Sequence, residues 1–148
     1  MTSAERSEQM RLVKAKDTKP EMAVRRLVHR LGFRYRLHSK DLCGKPDLVF
    51  SSRKKVIFVH GCFWHGHDHP ACKLARIPKT NRDYWISKIE RNRIRDKETC
   101  NQLGNLGWTV LTIWECAVKG GKEVTIANDI QDWLDNGTQD TQLPPPPH

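Results

Sequence analysis

Two uninterrupted apolar runs, separated by a turn too short for anything but a hairpin, dominate the middle of this chain. The first follows an acidic residue: Asp47, then Leu48-Val49-Phe50. Ser51 to Lys55 is polar, and Val56-Ile57-Phe58-Val59 then leads into His60. A strand that is apolar on both sides belongs in the middle of a sheet, and the short turn leaves only antiparallel pairing. Central strands are therefore expected over Asp47–Phe50 and Lys55–His60. Trp108-Thr109-Val110-Leu111-Thr112-Ile113-Trp114 reads as a third buried strand.

The remaining segments alternate with these strands. Thr18-Lys19-Pro20-Glu21 has the form of a capping box: Thr18 accepts a backbone N–H, Glu21 reaches back, and proline fits the first turn. Val24, Leu27, Val28 and Leu31 follow at helical spacing, and Gly32 ends the helix. Phe33 to His38 alternates and predicts a half-buried strand. Thr80 or Asn81 can cap a helix running to about Leu103. Its inward face would hold Trp85, Ile86, Ile89, Cys100 and Leu103, with Lys88, Arg91, Arg93, Arg95 and Lys97 opposite. Ile126, Ile130, Trp133 and Leu134 mark a last helix. The order is helix, strand, hairpin, helix, strand, helix. That pattern predicts an α/β domain, a mixed sheet with helices on both faces.

At 148 residues one domain is expected, over 17–135. Residues 1–16 are a basic arm. Residues 136–148, ending Pro-Pro-Pro-Pro-His, read as a disordered, proline-rich tail that should not pack. The formal net charge is +9, which favours a polyanionic partner such as nucleic acid. No apolar run long enough to span a membrane is present, and the first residues lack the apolar core of a secretory signal, so a cytoplasmic protein is expected. Five cysteines in that compartment argue for metal ligation over disulfides.

Potential ligands crowd the positions after His60: Cys62, His65, His67, His69 and Cys72. Cys62, His67 and Cys72 are evenly spaced, and with the distant Cys116 they form a Cys₃His set suited to structural Zn²⁺; His69 is the alternative to His67. A hard cation such as Mg²⁺ wants oxygen, which Asp47 and the main-chain carbonyl of Val59 can supply. His60 and His65 sit where hydrolysis of a phosphodiester needs a base and a phosphate partner. Taken alone, an Asp before a strand is more often a turn residue. Glu21 has the same ambiguity, since a cap explains it equally well.

Val56-Ile57-Phe58-Val59-His60-Gly61-Cys62-Phe63-Trp64-His65 resembles the signature of the very-short-patch-repair (Vsr) DNA mismatch endonucleases. Pro46-Asp47, Tyr84-Trp85-x-x-Lys88-Ile89, Gly107-Trp108-x-Val110-Leu111-x-Ile113-Trp114-Glu115-Cys116 and Arg6-Ser7-x-x-Met10-Arg11 fit as well. The resemblance implies a restriction-endonuclease-like fold whose site uses histidines in place of the usual Glu and Lys. It implies that Asp47 and the Val59 carbonyl hold Mg²⁺, that His65 is the general base, and that His60 assists at the phosphate. Glu21 would complete that site, and Cys62, His67, Cys72 and Cys116 would hold the zinc. Phe63, Trp64 and Trp85 would wedge into DNA beside the mismatch, and Met10 would belong to a clamping arm.

The activity so implied is Mg²⁺-dependent nicking of one strand 5′ of the thymine in a T:G mismatch, the product of 5-methylcytosine deamination. The protein would be a nucleoid-associated monomer acting on double-stranded DNA, with mismatch-repair proteins as candidate partners. Two other readings of the residues stay open: a non-catalytic zinc-containing DNA-binding module, and a zinc hydrolase whose histidine-rich loop keeps an open metal position.

Overall fold

The computed structural model describes residues 18–37 and 41–146. Thr18 caps helix α1, Lys19–Arg30, its Oγ1 accepting the Glu21 N–H at 3.4 Å. Ala23, Val24, Leu27 and Val28 form the buried face. Gly32, at φ +90°, turns the chain where a side chain would be strained. The expected strand over Phe33 to His38 shrinks to β1, Arg36–Leu37, both exposed. Its partner strand is only three residues long, so pairing stops there. Phe33 and Tyr35 instead pack against the core from outside the sheet, and His38 lies outside the described residues.

Strand β2, Leu48–Phe50, turns through a 3-10 segment at Ser51–Arg53 into β3, Lys55–His60. The pair is antiparallel, Leu48 opposite Ile57 and Phe50 opposite Lys55. From β3 the chain crosses through a long loop and helix α2, Arg82–Asn105, to β4, Thr109–Trp114. β4 runs parallel to β3 over its whole length, His60 lying opposite Trp114. A short helix α3 (Glu115–Val118), a 3-10 stretch (Lys119–Ile126) and helix α4 (Ala127–Asn136) follow.

The last element corrects the expectation that 136–148 would not pack. Thr141–Leu143 forms β5, parallel to β4, and Leu143 is buried in the main core. Without it β4 would present an unpaired row of N–H and C=O groups. One apolar residue in a polar, proline-flanked stretch is too little pattern to predict a strand. The sheet order is β1-β2-β3-β4-β5, a mixed α/β sheet as expected.

Because side chains alternate along a strand, the sheet carries two cores. Leu48, Phe50, Ile57, Leu111 and Ile113 face one side, with Val24, Leu27 and Val28 of α1 and Ile130, Trp133 and Leu134 of α4. Val49, Val56, Phe58 and Val110 face the other, under Leu103 of α2. Lys55, buried at the start of β3, donates to the carbonyls of Trp133 and Leu134 at 2.6 and 2.8 Å, tying the end of α4 to the sheet. α2 follows expectation except at two places. Asn81 precedes it in a left-handed conformation, with no side-chain cap bond, and Ile86 is exposed while Trp85, Ile89 and Leu103 are buried. No helix among the described residues is long and apolar enough to cross a membrane.

Candidate active site and metal centre

The end of β3 gathers the polar residues, because a strand buried along its length has only its end to offer to solvent. Asp47 stands across from it. Its Oδ2 accepts the backbone N–H of Val59 at 2.7 Å, and its own N–H donates to the Ile57 carbonyl at 3.1 Å. Glu21, from the first turn of α1, is almost fully buried and accepts a hydrogen bond from Arg25 Nη2. Burial pushes the Asp47 carboxyl up to about 7. The Val59 N–H works against this, the Glu21 charge adds to it, and the Arg25 charge opposes it. Two close carboxylates offer the oxygen donors that a divalent cation takes.

One residue beyond Val59 the histidine pair begins. His60 and His65 stack face to face, centroids 3.9 Å apart and planes within 3°. His65 Nδ1 lies 2.6 Å from Asp96 Oδ2. A carboxylate at Nδ1 fixes the ring and leaves Nε2 to take a proton. The reactive atoms of His60, His65 and Asp96 all fall within 4.8 Å of one another. Of the expected foursome of Asp47, His60, His65 and Glu21, Glu21 lies with Asp47 and His60 with His65. The Val59–His60 backbone joins them. A cavity of about 370 Å³ opens beside the histidines, with Arg93, Lys97, Thr112 and Gln142 among its walls.

Asp96 is the residue that sequence reasoning missed. Its signal was present: it lies on the inward stripe of α2, spaced with Trp85, Ile89, Cys100 and Leu103, where an acid is out of place. Asn92 shares that stripe, and its side-chain amide donates to the Trp64 carbonyl at 2.8 Å. Gly66, at φ +63°, lets the loop settle on α2: a Cβ there would come within 2.5 Å of Ile89.

The second cluster is built from sulfur. Cys62, His67, Cys72 and Cys116 bring their ligand atoms within 4.8 Å of one another. His67 Nδ1 lies 3.5 Å from both Cys62 Sγ and Cys116 Sγ. In a tetrahedral site with ordinary zinc bond lengths, the sulfur-to-nitrogen edge is about 3.6 Å, so the donor set fits such an ion. Burial pushes the Cys62 and Cys116 thiols up and holds His67 below the usual imidazole range. His69 stands outside the set, its Nδ1 accepting from the Ala71 N–H at 3.1 Å. Cys43 and Cys100 take no part in it.

The aromatic residues of the loop and of α2 pack edge to face. Phe63 and Trp64 are 5.1 Å apart, and each lies 5.2–5.5 Å from Trp85. Phe63 and Trp64 are half-buried, whereas Trp85 is only 4% exposed. The expectation of three rings presented together becomes two rings at the surface with the third beneath them. Met10 and the rest of 1–16 lie outside the described residues.

A mixed sheet with carboxylates and imidazoles collected at the end of its central strand, in a chain of net charge +9, is an arrangement suited to a nuclease. The family model described as DNA mismatch endonuclease Vsr matches residues 1–71. The type II nicking enzyme V.XorIIP of Xanthomonas oryzae pv. oryzae is 49% identical over 121 residues, 80% of this chain and 87% of that protein. The type II nicking enzyme V.NmeAIP of Neisseria meningitidis serogroup A is 44% identical over 118 residues, covering 80% and 82%. DNA mismatch endonuclease Vsr of Escherichia coli is 37% identical over 134 residues, covering 88% and 84%. The chain belongs to the Vsr family of DNA mismatch endonucleases and is a strand-nicking endonuclease.

Proposed function

We propose that this enzyme cuts one strand of duplex DNA 5′ of the thymine in a T:G mismatch left by deamination of 5-methylcytosine, and so begins short-patch repair. The observation that carries the proposal is the histidine pair, with His65 fixed by Asp96, next to an Asp47 carboxyl locked onto the strand that delivers His60.

In this reading Asp47 and the Val59 carbonyl hold Mg²⁺, with Glu21 beside them. Mg²⁺ supplies charge compensation at the phosphate and the leaving oxygen. His65 takes the proton of the attacking water through Nε2, and Asp96 steadies the imidazolium that results. His60, stacked on His65, assists at the phosphate. Cys62, His67, Cys72 and Cys116 hold a zinc whose shell is closed by four protein ligands, so it braces the fold and stays out of the chemistry. It ties the loop after β3 to the residues after β4.

Phe63 and Trp64 are the wedge, and Trp85 supports them from below. Parting stacked bases costs a few kcal/mol per step, and less where the pair is mismatched. The selectivity therefore comes from the weakness of the T:G pair as much as from contacts to its edges. The enzyme acts as a monomer in the bacterial cytoplasm, at the nucleoid, and mismatch-repair proteins are its candidate partners. The test is a nicking assay on matched and T:G duplexes, with Mg²⁺ and with chelator. Cutting of the T:G strand only when Mg²⁺ is present supports the proposal, and equal cutting of matched DNA refutes it.

A further inference from the structure

Trp114, the last residue of β4, stands where three parts of the molecule meet. One face of its indole lies flat on His67 of the sulfur cluster, centroids 4.1 Å apart and planes within 8°. It meets His60 edge-on, at 5.3 Å and 77°. Its Nε1–H donates to Gln142 Oε1 at 3.0 Å, on β5. The ring is 8% exposed, so face, edge and donor are all committed. β5 contributes one apolar residue to the core, and its neighbouring glutamine is spent on this indole.

We infer that Trp114, oriented by Gln142, is a positioning residue for the nicking step: it is the wall against which the edges of both His60 and His65 are set. The inference rests on the reading of the two histidines as catalytic. A stack of two small rings is a weak contact and slides easily. His65 is pinned by Asp96 on one side of the stack. Trp114 flanks the stack, near-perpendicular to both rings at 5.3 Å from His60 and 6.5 Å from His65, and is held by a hydrogen bond of its own. Displacing a catalytic group by about 1 Å costs roughly 10²-fold in rate, so orientation here has a large effect.

The experiment uses the full chain loaded with zinc and a T:G duplex in saturating Mg²⁺. Gln142→Leu, Trp114→Phe and Trp114→Leu are compared for saturated single-turnover nicking rate, for the duplex concentration at half-saturation, and for zinc content. Gln142→Leu is expected to slow the saturated rate about tenfold, the scale typical of losing an orienting partner, with half-saturation and zinc content unchanged. Trp114→Leu is expected to lose about 10²-fold, and Trp114→Phe, which keeps the flat face on His67, to recover part of it. A wild-type saturated rate in Gln142→Leu overturns the inference, as does a defect confined to half-saturation. Should Trp114→Leu shed its zinc or unfold, Gln142→Leu decides the matter, since its exposed side chain lies on an edge strand. His60→Ala and His65→Ala separate the two levels. If both nick normally, the catalytic reading fails; if both are inactive while the Gln142 and Trp114 variants are normal, only the positioning role does.

Discussion

The two polar clusters of this enzyme lie on either side of the end of β3 in sequence and are opposite in character. The sulfur cluster is complete within the chain: four donors, already within tetrahedral reach of one another. The carboxylate cluster is not. Asp47 and Glu21 lie beside one guanidinium, and Asp47 is pushed up to about 7 because burial outweighs the hydrogen bond and the cation that favour its charge. A site that supplies all its own ligands holds a metal as part of the fold. A site that offers two carboxylates leaves the rest of a hard cation's oxygen shell to substrate and solvent, as a catalytic Mg²⁺ site does. The first cluster should therefore report on stability and the second on rate.

The sharpest way to break that division is Asp47→Ala. It should reduce nicking by at least about 10³-fold, the scale of losing a main electrostatic element, while T:G duplex binding and zinc content stay as they were. A gel-based nicking assay with metal analysis checks this, and a variant that loses its zinc would merge the two clusters. Cys116→Ala makes the converse change. It should strip the zinc and cost roughly 4 kcal/mol of stability, since three ligands are left buried without their ion. Chemical denaturation measures this, and unchanged stability after zinc loss would show that the metal braces nothing.

Asp96→Asn probes the chemistry alone. It keeps the shape but can favour the wrong histidine tautomer, so the rate should fall about 10²-fold with zinc and folding stability intact. Rate measurements on the correctly folded variant decide it.

The smallest effect concerns Asp47 in the absence of Mg²⁺. A carboxyl raised in the folded state resists ionisation there, so folded-state stability is lost as pH climbs from the unfolded carboxylate range towards about 7. Asp47→Asn, which retains an oxygen for the Val59 N–H, should then stabilise the zinc-loaded, Mg²⁺-free protein at pH 8 by on the order of 2 kcal/mol, and much less at pH 5. Equal shifts at both pH values would mean that Asp47 carries no strain of this kind.

What the sequence made legible follows the same division. The buried hairpin was readable because apolar runs on both faces have no other home. The sulfur cluster was readable because Cys62, His67 and Cys72 lie in one loop with a regular spacing, and His67 rather than His69 needed only the coordinates to decide it. Asp96 was overlooked because an acid on a long, heavily charged helix looks like surface, although its spacing with Trp85, Ile89 and Cys100 put it on the inward stripe. β5 was hidden because three residues, one of them apolar, carry no period. Glu21 was ambiguous for a physical reason: it stands at the start of α1, where its N–H is capped by Thr18, while its side chain turns to Arg25.

The division between the clusters is tested most directly on a single preparation dialysed against a chelator too weak to extract a four-ligand zinc. Zinc content and nicking of a T:G duplex are then measured before and after Mg²⁺ is added. Full zinc with no cutting until Mg²⁺ arrives is the expected result. Cutting by the zinc-only protein would contradict it, because the sulfur cluster would then be part of the chemistry.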